Sequence, residues 1–267
     1  MECLRLKPHD HIGWVFDGAP QFDALAVPFL AEGAARGEQL MYVSADPEPG
    51  LAARLGDGLA PGTLQVASIV EVYGASGIVD AAAQRATFAA ALTQAKADGY
   101  TGIRVAADNT PLVADEERLA AWLRWEILAD RFMSENPVTG LCAFDREKVE
   151  VDRLRHLATL HPLSSAGSPA PQYRLFADAG NLRVEGLIDS FTVGQLRLAL
   201  DVLPPGTGVL IDLAAAAFTS RRPFAGLQRL AEAGVPVTVQ GPPDALDELT
   251  AAGSAPNGHL TLEQTAT

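Results

Sequence analysis

The chain has 267 residues, 48% hydrophobic and 20% charged, an ordinary globular composition with core enough for two compact units. Its formal net charge of −13, with neither half basic, argues against direct nucleic-acid binding, because that affinity rests on Lys and Arg neutralising phosphates. Cys3 and Cys142 form no CxxC pattern, no basic-then-apolar leader opens the sequence, and no apolar run nears the roughly 20 residues that span a bilayer, so a cytoplasmic protein without disulfide scaffold, zinc motif or membrane contact is expected.

Short apolar runs at residues 12–16, 39–44, 64–69, 102–107 and 138–144, each bounded by Asp, Gly or Pro, read as buried parallel strands. Between the first two, Phe22, Leu25, Ala26, Phe29, Leu30 and Gly33 form the stripe of a helix lying on a sheet, with Pro28 predicting a kink. Residues 81–96 are rich in helix formers and stop before Asp98-Gly99. Residues 119–133 give the next helix, with Asp115, Glu116 and Glu117 in its first turn, where the helix dipole favours acids.

After His161-Pro162 the composition changes. The stretch SSAGSPAPQ cannot bury enough apolar surface to offset its ordering entropy and reads as a linker. The expected organisation is a domain over 1–163, a linker over 164–171 and a second domain over 172–267. That second domain reads as a hairpin (173–176 and 182–186), a helix (191–202), a strand (208–213), a helix (223–233), a strand (235–240) and a helix (243–252). The order is ββαβαβα, a small α/β domain. The tail from 253 is expected to be partly disordered, with an edge strand at 260–262.

In open parallel sheets ligands bind beyond the carboxyl ends of the strands. Asp17, Asp46, Asp108 and Asp145 fall at such ends, and Asn109 and Thr110 extend Asp108 into a polar cluster; the alternative is that each acid starts a turn or caps a helix. Glu126 lies on the apolar face of its helix, so it needs a donor or a cation. It is either a core ion pair to an arginine such as Arg104 or a pocket wall facing Asp108. His9 and His11 flank Asp10 but lack the further ligands of a metal site, so no metal is expected and His11 is read as a hydrogen-bonding pocket residue. Neither GxxxxGK[ST] nor GxSxG occurs, which leaves ATP phosphates without a cradle and gives no nucleophile. No cofactor and no catalytic residue is expected.

The blocks HIGWVFDG, APQFDALAVPFLAEGAARGEQLMYVSAD, GYTGIRVAADNTPL, Trp125-Glu126, VTGLCAFDR and LHPL, in that order, resemble the MEDS domain, the methanogen/methylotroph DcmR sensory domain, over about residues 7–163. The resemblance implies a RecA-like three-layer parallel-sheet fold without a phosphate loop, and small-molecule sensing in bacterial transcriptional regulation. Members often carry Glu-Met-Ser-Trp after the fourth strand and a Tyr-Glu pair; this chain has Asp108-Asn109-Thr110-Pro111 and Trp125-Glu126, which alters the ligand rather than the fold.

Residues 172–253 resemble a STAS domain, the sulfate transporter and anti-sigma-factor antagonist module, through LRVEGLID from Leu182 and VLIDL from Val209. The resemblance implies docking to a regulatory protein such as an anti-sigma factor or a histidine-kinase-like protein. Where antagonists carry an Asp-Ser acceptor pair at a helix start, this chain has Ser220-Arg221, followed by Arg222; Thr219 and Ser220 are the remaining hydroxyls open to phosphorylation. The expected function is a bacterial signalling protein that senses an unknown small molecule and docks a protein partner, with homodimerisation left open. The alternatives are an enzyme using Asp108 and Glu126 as an acid–base pair and a scaffold with a vestigial pocket.

Overall fold

The computed structural model describes residues 9–45, 54–55, 59–165, 167–251 and 258–265. The chain divides into two compact units, Met1–Ala170 and Pro171–Thr267. None of the described helices is long and apolar enough to cross a membrane.

The first unit is a three-layer α/β structure. Strands β1 (His11–Phe16), β2 (Gln39–Ser44), β3 (Leu64–Ser68), β4 (Ile103–Asp108), β5 (Val138–Asp145) and β6 (Leu163–Ser164) form one parallel sheet in the order β3-β2-β4-β5-β1-β6. The central strands are apolar on nearly every residue because both faces are covered.

Helix α1 (Ala19–Ala35) covers one face with the expected stripe and runs on through Pro28. Its Phe22, Phe29 and Leu30 share a core with Ile12, Phe16, Leu40 and Leu141. The opposite face carries α2 (Ile69–Tyr73), α3 (Ala81–Ala97), α4 (Glu116–Glu135) and α5 (Val151–Thr159), which bury Phe88, Trp122, Trp125 and Leu157 against Val15, Val105 and Phe144. Two acids cap this layer: Asp80 accepts from the amides of Ala82 and Ala83, and Asp115 from that of Arg118.

Several elements are additional to those expected. Ile69 belongs to α2 rather than to β3, because Ser68 and Glu71 close a reciprocal capping box there. Helix α5 was absent from the sequence reading, and β6 was too. Leu163–Ser164 pair with Ile12 and Gly13, and the buried Ser165 accepts from the Val15 amide, so the start of the small-residue stretch is built into the sheet edge.

The second unit holds β7 (Tyr173–Asp178), β8 (Asn181–Ile188), α6 (Ser190–Leu200), β9 (Val209–Phe218), α7 (Arg221–Glu232), β10 (Val237–Gly241), α8 (Pro243–Ala251) and β11 (Leu260–Gln264). The β7–β8 hairpin turns on Ala179 (φ 46°) and Gly180 (φ 84°), the two positive φ angles of a tight two-residue loop. The sheet order is β11-β10-β9-β8-β7, parallel apart from that hairpin. The expected edge strand runs two residues further than 262, and residues 252–257 and 266–267 of the tail lie outside the described residues.

Candidate functional site

The first unit buries a cluster of ionisable side chains under α4. Odd-numbered residues of β1 face α4, which turns His11 inward at the start of the strand. Glu126 and Asp130, one helical turn apart, project from the buried face of α4, Cys142 projects from β5, and His161 follows α5. Gly13 makes the space: a Cβ there would lie 2.8 Å from His161 Cγ.

Distances within the cluster are short. His11 Nε2 lies 3.1 Å from Glu126 Oε2 and 3.5 Å from Cys142 Sγ. Glu126 Oε2 lies 3.6 Å from His161 Nε2 and 3.9 Å from Cys142 Sγ. Both imidazoles use Nδ1 outward: His11 donates to Asp130 Oδ1 (3.0 Å) and His161 to the Leu157 carbonyl (2.8 Å).

The protonation pattern follows from burial and neighbours. Burial alone lowers the His11 pKa, yet the charge of Cys142 and hydrogen bonds to Asp130, Cys142 and Glu126 outweigh it and hold the pKa well above its ordinary value. Burial first, then Glu126, pushes the Cys142 thiol up to about 12, so it is uncharged at neutral pH and the carboxylates carry the His11 effect there. Burial, then His11, pushes His161 down to about 4. For Glu126 burial acts upward but is outweighed by the two histidines, which lower its pKa; with His161 neutral, His11 supplies that cation at neutral pH. At pH 7 an imidazolium and a carboxylate therefore sit beside a neutral imidazole and a thiol.

Next to the cluster lies an apolar cavity of about 40 Å³ between α3, α4 and the sheet, walled by Phe88, Trp125, Phe132 and Met133 and by Cys142, which it shares with the cluster. Trp125 stacks on Phe88 at 5.5 Å between centroids.

The acids expected at the strand ends form a separate group. Asp108 and Asp145 are the last residues of β4 and β5 and lie on the α1 side, whereas Glu126 lies across the sheet. Glu126 therefore does not face Asp108, and Arg104 pairs instead with Glu38 (2.6 Å) and Glu32 (3.5 Å). Asp145 accepts from the amides of Gly18 and Glu147 and pairs with Lys148 (3.3 Å), while its own amide donates to Thr110 Oγ1. Asp108 accepts from the Thr110 amide, and burial raises its pKa. Asp17 is exposed and pairs with Arg146 at 2.8 Å. Asn109 is fully buried, and its side-chain amide finds no partner among the described residues. Asp46 lies outside the described residues.

In the second unit, Ser220 is the N-cap residue of α7 and makes no side-chain cap. Arg221 and Arg222 follow it, exposed, in the first turn, where a helix dipole disfavours cations. Thr219 donates its hydroxyl to the Ile188 carbonyl. A groove lined by Leu213, Phe218, Ser220, Arg221, Phe224 and Leu249 opens beside them.

Sequence reading selected His11, Trp125 and Glu126 but missed Asp130, Cys142 and His161. The i, i+4 spacing of Glu126 and Asp130 on an apolar helix face points to Asp130, and to neither Cys142 nor His161. A family model described as MEthanogen/methylotroph, DcmR Sensory domain matches residues 10–162. No curated protein and no solved structure gives a match.

Proposed function

The chain belongs to the MEthanogen/methylotroph, DcmR Sensory domain family, a signalling and sensing assignment carried by residues 10–162, and from it we propose that the first unit senses a small apolar molecule without turning it over. The observation that carries this reading is the cavity. At about 40 Å³ it suits a ligand of a few heavy atoms, its walls are largely aromatic and aliphatic, and the sulfur-bearing Met133 and Cys142 are among its lining residues. Occupancy would be reported through α4, which carries both a cavity wall and two members of the buried cluster. Such a ligand signals only if it binds one arrangement of this layer better than another.

The second unit is proposed to dock a regulatory protein of the anti-sigma-factor or histidine-kinase-like kind, in the manner of a STAS domain. Its support is the small mixed sheet entered by a hairpin, together with the exposed Arg221 and Arg222 at the start of α7 beside a groove. Arginine presents a permanent charge and five donors, so the partner surface is expected to be acidic.

The test is a ligand screen on the full chain with small hydrocarbons and halocarbons, read by thermal shift and native mass spectrometry. Ala129, on α4, also lines the cavity, and Ala129→Leu, which fills it, is expected to abolish the response while leaving the protein folded. A response unchanged by Ala129→Leu puts the ligand elsewhere, and turnover of any bound compound refutes the non-catalytic reading.

A further inference from the structure

We propose that His11, Glu126, Cys142 and His161 form a four-coordinate site for a divalent zinc ion. The assignment is independent of whether the neighbouring cavity takes a ligand. It concerns one donor atom from each of four separate chain segments: the first strand, helix α4, the fifth strand and the segment after α5.

Geometry is the first argument. The four donor atoms all lie within 4.8 Å of one another. A tetrahedral zinc ion at about 2.0–2.1 Å from nitrogen or oxygen and about 2.3 Å from sulfur separates its donors by about 3.3–3.6 Å. The four separations given above run from 3.1 to 3.9 Å. The other two, from His161 Nε2 to His11 Nε2 and to Cys142 Sγ, stay within 4.8 Å, so an inward shift of His161 by about an ångström at most would complete the tetrahedron.

Orientation is the second. A metal-binding histidine usually donates its outer ring N–H to a carboxylate or carbonyl, which fixes the tautomer and turns the other nitrogen to the ion. Both histidines do so here, His11 to Asp130 and His161 to Leu157, and both Nε2 atoms point into the cluster.

The third argument is what the side chains lack. His161 Nε2 is fully buried without a hydrogen-bond partner among the described residues, and it is turned to the Glu126 carboxylate, 3.6 Å from Oε2. Buried acceptors facing each other are costly unless a proton or a cation lies between them. One ion satisfies the donors together; on binding, the Cys142 thiol and the His11 imidazolium each release a proton to solvent. The donor set, two imidazoles, a thiolate and a carboxylate, suits zinc and excludes calcium or magnesium, which take oxygen ligands.

The test uses the untagged full chain. Elemental analysis after purification without chelators is expected to give one zinc per chain. Cobalt(II) added to chelator-stripped protein is expected to give the intense visible bands of a tetrahedral site and a near-ultraviolet thiolate-to-cobalt band. Cys142→Ser should remove the near-ultraviolet band, and Asp130→Asn, which only loosens His11, should weaken cobalt binding by about 10- to 100-fold. Wild-type protein that binds cobalt only octahedrally, or that loses all metal on desalting, overturns the proposal even if the variants fail to fold. A tetrahedral spectrum indifferent to Cys142→Ser overturns it as well. Neither result bears on the cavity, which Ala129→Leu tests by itself.

Discussion

Gly13 and His161 approach so closely that no side chain larger than hydrogen fits at residue 13: its Cβ would meet the imidazole at 2.8 Å. Gly13 is a strand residue, paired with Cys142 of β5 and Ser164 of β6, so its backbone cannot yield without disturbing two neighbours.

Gly13→Ala is therefore expected to destabilise the first unit by about 1–3 kcal/mol, the usual cost of overpacking a core. Gly194→Ala is the contrasting change. It lies in the exposed middle of α6 with no atom of the described residues within 4 Å of the new methyl, and should stabilise the second unit by about 0.4–1 kcal/mol. Trp14, Trp122 and Trp125 all belong to the first unit, so urea denaturation followed by tryptophan fluorescence should detect the Gly13 change and ignore the Gly194 one.

Arg104 is fully buried and pairs with the buried Glu38. Arg104→Met leaves that carboxylate without its cation and is expected to cost about 3–5 kcal/mol, whereas Arg104→Met with Glu38→Leu should recover much of the loss. Equal losses from the single and double changes in the same denaturation assay would mean the ion pair contributes packing alone.

Asp108 gives a pH test. Burial raises its pKa in the folded protein above the ordinary 3.8, so the native state holds the proton more tightly than the unfolded chain. The associated stability is complete below the unfolded value and disappears as pH rises through the folded one. Asp108→Asn keeps an acceptor for the Thr110 amide and cannot ionise. Its melting temperature should exceed that of the wild type at neutral pH, with the gap closing on acidification; a gap that widens in acid would reverse the assigned shift.

Arg221→Glu should weaken association with an acidic partner by charge reversal while leaving the fold intact, and Arg221→Glu with Arg222→Glu should weaken it further. Pull-down from the native host with the wild type and both variants provides the measurement. An unchanged set of captured proteins would move the docking surface away from the start of α7.

The parallel sheet was legible because fully buried strands are written as short apolar runs, and α1 because Phe22 to Gly33 keep one period throughout. Helix α2 was hidden by its length, five residues being too few for a period, although Ser68 and Glu71 spelled out its cap. The strand-end acids were legible as positions, yet which face each occupies depends on strand parity, and that separates Asp108 from Glu126. His161 could not be placed from sequence. It reaches His11, at a ring-centroid distance of 4.3 Å, only because α5 and β6 return the chain alongside β1, and each of those elements is too short to announce itself.

The position of β1 in the sheet sets an order of assembly. Among the described strands of the unit β1 is made before the others, but its partners are β5 and β6, which are made last, while β2 can pair with β3 and β4 well before then. The apolar segment His11–Phe16 therefore waits through most of the unit's synthesis with both edges unpaired. A nascent chain arrested before Val138 should be a client for chaperones, and any shortening of the unit short of Ser164 should expose the same strand in the finished protein.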